Sequence, residues 1–355
     1  MRLFRPVVKV ISLNLLFCFI LLVSIELVFG GWLSRESTIT TLNVRPNTID
    51  IEPSPLYPPG AMITYSRDRY GFRGGSGDAK SIQILAIGGS TTNERYVDDA
   101  DTWTARLQRI LAERDCRLTI ANAGVDGYST IGNIASFAQW FDHIPDLKPR
   151  FVLVYVGLND AALDPRSANF ARAQKYESRW RTFSHYVAAN SALRQLYVRL
   201  RGWWVARRAH VVHGEVPITP ASVWQPASLP LDFAAGAADK ARAYRQRLER
   251  LDTLIREFGA RPIYVTQIRV DGKVVDGAWQ QVTGSNGAVD TATLLAINQT
   301  TLDFCRDRDE ACVDLAGKVN FAPGDYYDAV HTAPAGSARI AGFLATELPP
   351  ILCPQ

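Results

Sequence analysis

The chain alternates short apolar runs with helical patterns, and this alternation constrains its fold more than any other feature. The apolar runs are bounded by glycine or polar residues, as buried strands are, and the segments between them carry apolar residues at helical spacing. Strands that alternate with helices predict a parallel sheet with both faces covered. The predicted strands are 82–89, 117–124, 151–157, 262–268 and 311–316, and the predicted helices are 101–113, 129–142, 239–258, 290–305 and 335–348.

An apolar stretch at residues 10–33 precedes this pattern and follows Arg2, Arg5 and Lys9. Its 24 residues would span about 36 Å as a helix, enough to cross a bilayer core. We interpret it as an uncleaved signal anchor; a cleaved signal peptide and a buried globular helix are the alternatives. The preceding basic residues predict a cytoplasmic N-terminus. In a bacterium this gives a single-pass inner-membrane protein with its bulk in the periplasm, or an exported protein if the segment is cleaved.

The whole chain divides into three parts by composition. Residues 1–35 form the cytoplasmic tip and anchor, 36–80 a linker and lead-in, and 81–355 the main domain. Five prolines within 46–60 predict an extended linker. An insertion rich in Trp and Arg, at about 162–235, interrupts the domain. It could be a cap over a site, an amphipathic piece on anionic lipid, or a solvated helical excursion. Its marker residues are Trp180, Trp203, Trp204, Trp224, Arg194, Arg199, Arg201, Arg207 and Arg208.

Charge and cysteine spacing exclude two classes of site. The net charge is +4, of which +3 falls in residues 1–35, so the remainder carries only +1 and nucleic-acid binding is not expected. The sequence has no C-x-x-C pair, and His210 and His213 lack a carboxylate partner, so we expect no metal. Cys305 and Cys312 could close a small disulfide loop or remain buried thiols; the pairing of Cys116 and Cys353 stays open.

Polar residues follow several of the predicted strands, where ligands bind in open α/β sheets. Ser90 follows the first strand, Gly127 the second and Asn159 the third, while Asp328 and His331 stand before the last helix. A serine nucleophile needs a histidine base that a carboxylate holds, and a three-residue spacing lets Asp328 bond one imidazole nitrogen.

An ester-cleaving site also needs donors for the oxyanion. The backbone N–H groups of Ser90 and Gly127 and the Asn159 amide are the candidates, with Gly124 as a rival to Gly127. We expect Asp160 to support the loop.

These blocks resemble the SGNH (GDSL-like) hydrolase family. The matches are Ser90, Gly127, Asn159, and His331 with Asp328, in order over about residues 81–348. The resemblance implies a three-layer α/β/α, flavodoxin-like fold with a five-stranded parallel sheet, and acyl hydrolysis or transfer without metal or other cofactor. Gly89 stands where the family often has Asp. Residues 67–74 resemble the lead-in of membrane-anchored, exported members. Ser90 is not in a Gly-x-Ser-x-Gly elbow, because position 92 is Thr, which argues against an α/β-hydrolase.

The expected function is a serine esterase that removes O-acyl groups, with acetyl as the expected group, from envelope or exported carbohydrate. The expected partners are thus an acylated carbohydrate substrate and, through the N-terminal helix, a membrane. The same acyl-enzyme could instead serve an O-acyltransferase, or a lipase or thioesterase acting on longer chains. A non-catalytic envelope-binding protein is a further alternative, against which the intact Ser, His and Asp set argues.

Overall fold

The computed structural model describes residues 4–30, 32, 44–163, 191–194, 196–197 and 218–353. The chain forms two compact units, one of Met1–Asn43 with Tyr176–Gly214 and one of Val44–Lys175 with Glu215–Gln355. Several residues singled out in the sequence lie outside the described residues: Trp180, Trp203, Trp204, Arg199, Arg201, Arg207, Arg208, His210 and His213.

In the first unit, helix α1 (Phe4–Phe29) carries the apolar stretch. Its segment Ser12–Phe29 is long and apolar enough to cross a membrane, although a signal sequence would satisfy the same criterion. Its one acidic residue, Glu26, accepts hydrogen bonds from Trp32 Nε1 at 2.8 Å and from Ser191 Oγ at 2.7 Å. The backbone N–H groups of Ala192 and Leu193 also donate to it, so this carboxylate is fully hydrogen-bonded.

The second unit is built on a five-stranded parallel sheet. Its strands are β3 (Ile82–Gly88), β4 (Thr119–Gly124), β5 (Phe151–Tyr155), β7 (Arg261–Val265) and β10 (Ala311–Val313). They lie side by side in the order β10-β7-β5-β3-β4. Six of the seven residues of β3 are buried, as in a strand covered on both faces. The five-stranded parallel sheet predicted from the sequence is therefore confirmed.

Helices cover both faces of this sheet. On one face, α3 (Trp103–Glu113) and α9 (Pro334–Glu347) share a core with Ile84, Leu153 and Ile263. The remaining helices are α2 (Ser90–Asn93), α4 (Thr130–Gln139), α5 (Leu158–Ala162), α6 (Phe233–Glu257), α7 (Gly287–Arg308), α8 (Leu315–Lys318) and α10 (Pro349–Leu352), with short 3-10 turns at Ala79–Ser81, Asp99–Asp101 and Phe141–His143. Contacts among α4, α6, α7 and β7 form the other face.

Several element boundaries differ from the predictions. The helix predicted at 239–258 begins at Phe233, within the span assigned to the insertion. The strand predicted at 311–316 ends at Val313, because the Asp314 side chain accepts the Gly317 N–H and starts helix α8.

The proline-rich segment 46–60 is not a free linker, which corrects the prediction. Residues Thr48–Pro53 form strand β1, which pairs antiparallel with β2 (Met62–Arg67). Proline is tolerated there because β1 is an edge strand and Pro53 is its last residue. Side chains fasten the hairpin to the domain: Tyr57 donates to Asp101 at 2.9 Å. The compact unit accordingly begins at Val44 rather than at residue 81.

A second, three-stranded sheet was not predicted. Strand β9 (Ala278–Val282) lies between β6 (Trp224–Pro226) and β8 (Gly272–Val275). Asp276 and Gly277 connect β8 to β9 with positive φ angles of 50° and 78°. An Asp-Gly pair between apolar runs is a strong hairpin signal, so the sequence did contain the information.

Two disulfides are present. Cys305 bonds to Cys312, the small loop that the sequence allowed, and Cys116 bonds to Cys353 across 237 residues. Cys116 lies just after α3, and both Cys116 and Cys353 border the core beneath α3 and α9. The second bridge therefore closes this face of the domain.

Candidate active site

Ser90 lies at the carboxyl end of β3, as the first residue of α2. Gly89 precedes it at a point with no room for a side chain. A Cβ atom there would stand 2.7 Å from Asn159 Nδ2 and 2.8 Å from the Tyr128 carbonyl oxygen. Glycine at this position therefore lets the amide of Asn159 lie against the turn that carries Ser90.

Ser90, His331 and Asp328 form one chain of hydrogen bonds. Ser90 Oγ lies 2.8 Å from His331 Nε2, and His331 Nδ1 lies 2.7 Å from Asp328 Oδ2. Asp328 Oδ1 accepts the backbone N–H groups of Val330 at 2.9 Å and of His331 at 2.7 Å. The ring of Tyr327 stacks on the imidazole with centroids 5.7 Å apart. The imidazole is thus held on one edge and one face, with its other nitrogen directed at Ser90.

The environment of Asp328 favours its charged form. Burial alone would raise its pKa, but the hydrogen bond from His331, the charge of that ring and two backbone N–H groups outweigh burial, and the pKa is lowered. An ionised Asp328 can accept a hydrogen bond from His331 Nδ1 and stabilise an imidazolium.

Gly127 lies in a turn after β4 and Asn159 in the first turn of α5, and both segments contact the turn that carries Ser90. Gly127 is the third residue of a turn closed by the Tyr128 N–H and the Val125 carbonyl, with φ of 76°, a conformation that favours glycine. Asn159 Nδ2 donates to the Tyr128 carbonyl at 2.8 Å, which joins α5 to this turn. The N–H of the rival Gly124 donates to Asn122 Oδ1 at 2.9 Å, and a Cβ atom at Gly124 would come within 2.4 Å of the Asn93 backbone nitrogen.

Asp160 is a structural residue of the loop, as expected. It is buried and forms an ion pair with the equally buried Arg247 at 2.9 Å. Its carboxylate also accepts the Thr130 N–H at 3.0 Å and the Thr130 hydroxyl at 2.5 Å. These bonds connect α4, α5 and α6 behind Asn159.

Glu94 is a site residue that sequence reasoning missed. It follows α2 with a positive φ of 51° and is buried. Its carboxylate accepts the hydroxyl of Thr332 at 2.8 Å, the hydroxyl of Ser337 at 2.5 Å and the Trp103 N–H at 2.7 Å. Burial raises its pKa to about 7 in spite of these bonds. No sequence pattern marks it, since its partners come from distant segments of the chain.

A small cleft opens beside Ser90 and His331, with a volume of about 10 Å³. Tyr96 stands edge-on against Tyr327 with centroids 6.1 Å apart. The cleft is therefore narrow next to the serine. Its lining residues are Ser90, Thr91, Glu94, Tyr96, Val97, Tyr327, His331 and Thr332.

Metal-ligand chemistry is not indicated in the described part of the chain. Within those ranges, no group of three or more His, Cys, Asp or Glu residues is arranged to hold a metal ion.

Comparison with known proteins identifies the family. The sequence profile of the GDSL-like lipase/acylhydrolase family matches residues 86–278, more than half of the chain. The chain belongs to this family. The match includes Ser90, Gly127 and Asn159 and ends before Asp328 and His331, which the fold brings to the same edge of the sheet. Membership in this family makes the protein an enzyme that acts on ester bonds. No curated protein matches significantly.

Solved structures of the family are similar in fold at low identity. TesA is 15% identical with a TM-score of 0.43, over 75% of this chain and 98% of its own. A member of the lipolytic G-D-S-L family from Veillonella parvula is 13% identical with a TM-score of 0.41, and the match covers 75% of this chain and 97% of that protein. An acetylxylan esterase from Geobacillus stearothermophilus, solved as a catalytic mutant, is also 13% identical, with a TM-score of 0.41. The match covers 77% of this chain and 95% of that esterase. At these identities none of their substrates transfers to this chain.

Proposed function

We propose that the protein is a serine esterase that removes small O-acyl groups, acetyl above all, from carbohydrate outside the cytoplasm. The observation that carries the proposal is the continuous chain of hydrogen bonds from Ser90 through His331 to Asp328. A binding protein would have no use for a serine that contacts an oriented base.

The reaction follows from this arrangement. Ser90 Oγ attacks the ester carbonyl while His331 Nε2 takes its proton, and Asp328 stabilises the resulting imidazolium. Negative charge develops on the carbonyl oxygen. This oxyanion is stabilised by hydrogen bonds from the backbone N–H groups of Ser90 and Gly127 and from the Asn159 amide. His331 then gives its proton to the leaving alcohol. Water, activated by the same imidazole, releases the acyl group from Ser90.

The narrow cleft beside Ser90 supports a short acyl group. Its volume of about 10 Å³ is room for about one water molecule, so the structure holds no preformed channel for a long chain at this cleft. Tyr96 and Tyr327 bring bulky rings to it, and a long acyl chain would have to displace them. We therefore favour acetyl over longer chains.

The apolar helix α1 supports a location at the membrane. A single N-terminal span after basic residues favours a main domain outside the cytoplasm, where envelope and exported carbohydrates carry O-acyl esters. Carbohydrate is the part of the proposal that rests on location rather than on a contact in the site.

Hydrolysis of esters of graded length tests the proposal. The full chain, purified in detergent micelles, is assayed with p-nitrophenyl acetate, butyrate and octanoate, and then with an O-acetylated oligosaccharide. We expect acetate release from both kinds of substrate. Ser90→Ala should lower kcat at least about 10³-fold, because it removes the nucleophile. Ser81→Ala, a change at an exposed serine, is the matched control and should leave kcat unchanged.

Each other outcome points to a different activity. A preference for octanoate would contradict the short-acyl proposal and favour a lipase or thioesterase. Transfer of acetyl to an added sugar in place of water would identify an O-acyltransferase. Equal inactivity of the wild type and Ser90→Ala on every ester, with no labelling of Ser90 by a fluorophosphonate, would sink the esterase proposal.

A further inference from the structure

The lead-in, residues 67–74, takes no part in the reaction of Ser90 and His331, yet it is built into the domain beside Ser90. Arg67 and Arg73 are 6% and 3% exposed. Arg73 joins the lead-in to β4 through its N–H and the Asn122 carbonyl, and its side chain pairs with Asp99. Two buried arginines in so short a segment call for a physical reason, because burying a guanidinium is costly.

Arg67 is held by four neutral acceptors. Its Nε donates to Tyr65 Oη at 2.9 Å, and its Nη1 donates to the Gly71 carbonyl at 2.7 Å. Its Nη2 donates to Asn93 Oδ1 and to the Gly124 carbonyl, both at 2.8 Å. Hydrogen bonds to neutral groups compensate burial of the charge only in part. What the arrangement supplies is geometry, since the planar guanidinium joins the last residue of β4 to the last residue of α2.

Asn93 connects Arg67 to Asp126 through its side-chain amide. It lies three residues after Ser90, and its Oδ1 accepts from Arg67 and from Tyr65 Oη at 3.1 Å. Two donors on Oδ1 fix the amide orientation, so that Nδ2 points the other way and donates to Asp126 Oδ1 at 2.8 Å. Asn93 is only 1% exposed, so its amide has little freedom to turn.

Asp126 is the residue before Gly127. The Gly127 N–H belongs to the peptide that follows the Cα of Asp126, within the turn closed between Tyr128 and Val125. Asp126 itself is exposed, so packing does not hold it. The hydrogen bond from Asn93 is the contact that ties its side chain to the body of the domain.

We propose that Arg67 is a positioning residue for the oxyanion hole: through Asn93 it holds Asp126, and through Asp126 it orients the N–H of Gly127. The lead-in is then part of the catalytic apparatus rather than a tether. The inference rests on the proposed function, because it assigns Gly127 to the oxyanion of an ester reaction.

A swap of the Asn93 and Asp126 side chains tests the proposal in the full chain in detergent. Asn93→Asp keeps an acceptor for Arg67 but places a carboxylate against Asp126, so it breaks the link. We expect kcat on p-nitrophenyl acetate to fall about 30- to 100-fold with KM within about 3-fold, because only the transition state uses the oxyanion donors. Asp126→Asn leaves an oxygen for Asn93 Nδ2, so its loss of kcat should be smaller than that of Asn93→Asp.

Rescue is the decisive measurement. In the double variant, Asn93→Asp with Asp126→Asn, the hydrogen bond forms again in the reverse direction, and kcat should return to within about 5-fold of the wild type. Arg67→Lys should reproduce the kcat loss of Asn93→Asp, since a compact ammonium lacks the planar fork that bonds Tyr65, Gly71, Asn93 and Gly124 at once. If Arg67 and Asn93 only stabilise the fold, Arg67→Lys and Asn93→Asp should lower the thermal midpoint of unfolding and leave the kcat of the folded fraction unchanged.

The rate of Ser90 labelling by a fluorophosphonate separates the possible failures. Labelling depends on the nucleophile and the oxyanion hole but not on the natural substrate. A wild type that labels, with Asn93→Asp labelling equally fast, would overturn the positioning role alone. A double variant as slow as Asn93→Asp would do the same. A wild type that neither labels nor hydrolyses any ester would overturn the proposed function and this inference together.

Discussion

At the scale of single residues, close contacts around Ser90 decide which substitutions the site accepts. Gly89 has no space for a Cβ atom, and the atoms in the way belong to Asn159 and to the backbone of Tyr128. A methyl group there must displace one of them. The lack of a side chain at position 89 therefore matters as much as the side chains that are present.

We expect Gly89→Ala to lower kcat about 10²-fold, because it shifts the Asn159 amide away from the oxyanion position. Steady-state kinetics on p-nitrophenyl acetate measure the effect. Gly236→Ala is the matched control: a Cβ atom at this position in α6 meets nothing within 4 Å, so activity should be unchanged. A fully active Gly89→Ala would show that Asn159 is not held by this contact.

Glu94 gives a second prediction at this scale, on stability against pH. Its pKa is raised from 4.5 to about 7, so between these values the unfolded chain releases this proton while the folded protein retains it. The contribution of Glu94 therefore makes the free energy of unfolding fall as pH rises from about 4.5 to about 7 and level off above that. The fall in the free energy of unfolding is on the order of 3 kcal/mol.

Glu94→Gln removes this titration. The free energy of unfolding of the variant minus that of the wild type should increase steadily as pH rises from 5 to 7. Urea unfolding at several pH values measures this difference. Glu113→Gln, at an exposed position of α3, is the control and should follow the wild type at every pH. A constant difference between Glu94→Gln and the wild type across this range would mean that Glu94 has no raised pKa.

At the scale of elements, the sequence specified the central sheet better than its surroundings. The five buried strands were recognisable because each is a short apolar run, and the order of Ser90, Asn159 and His331 along the chain placed them at the same edge. Hairpin β1–β2 was missed because its prolines, which commonly mark linkers, sit at positions that an edge strand tolerates. The contacts of Arg67 and Glu94 depend on residues far apart in sequence, which no local pattern reveals.

The disulfides give a prediction at this scale. Cys116–Cys353 joins residues 237 apart, whereas Cys305–Cys312 joins residues seven apart. A disulfide that closes a long loop removes more entropy from the unfolded chain than one that closes a short loop. Cys116→Ser with Cys353→Ser should therefore lower the free energy of unfolding by about 3–5 kcal/mol. The pair Cys305→Ser with Cys312→Ser should cost less. Urea unfolding of the two double variants compares them directly, and the reverse ranking would contradict the expectation.

At the scale of the whole molecule, we propose that α1 anchors the chain in a membrane. We expect the full chain to stay in the membrane fraction after alkaline carbonate extraction and to retain its N-terminal residues by mass spectrometry. Leu16→Arg with Phe19→Arg, two charges in the middle of the apolar segment, should prevent stable insertion. Recovery of a soluble wild-type chain that begins beyond Phe29 would identify a cleaved signal peptide instead.

The disulfide pattern also has a consequence for how the chain is made. During synthesis, Cys116 emerges long before its partner, and Cys305 is the next cysteine along the chain. An oxidase that joins cysteines in order of appearance would link Cys116 to Cys305, which is the wrong bridge. Correct pairing then requires exchange through a mixed disulfide. We therefore expect the yield of active protein to depend on a disulfide isomerase in the compartment where the chain folds.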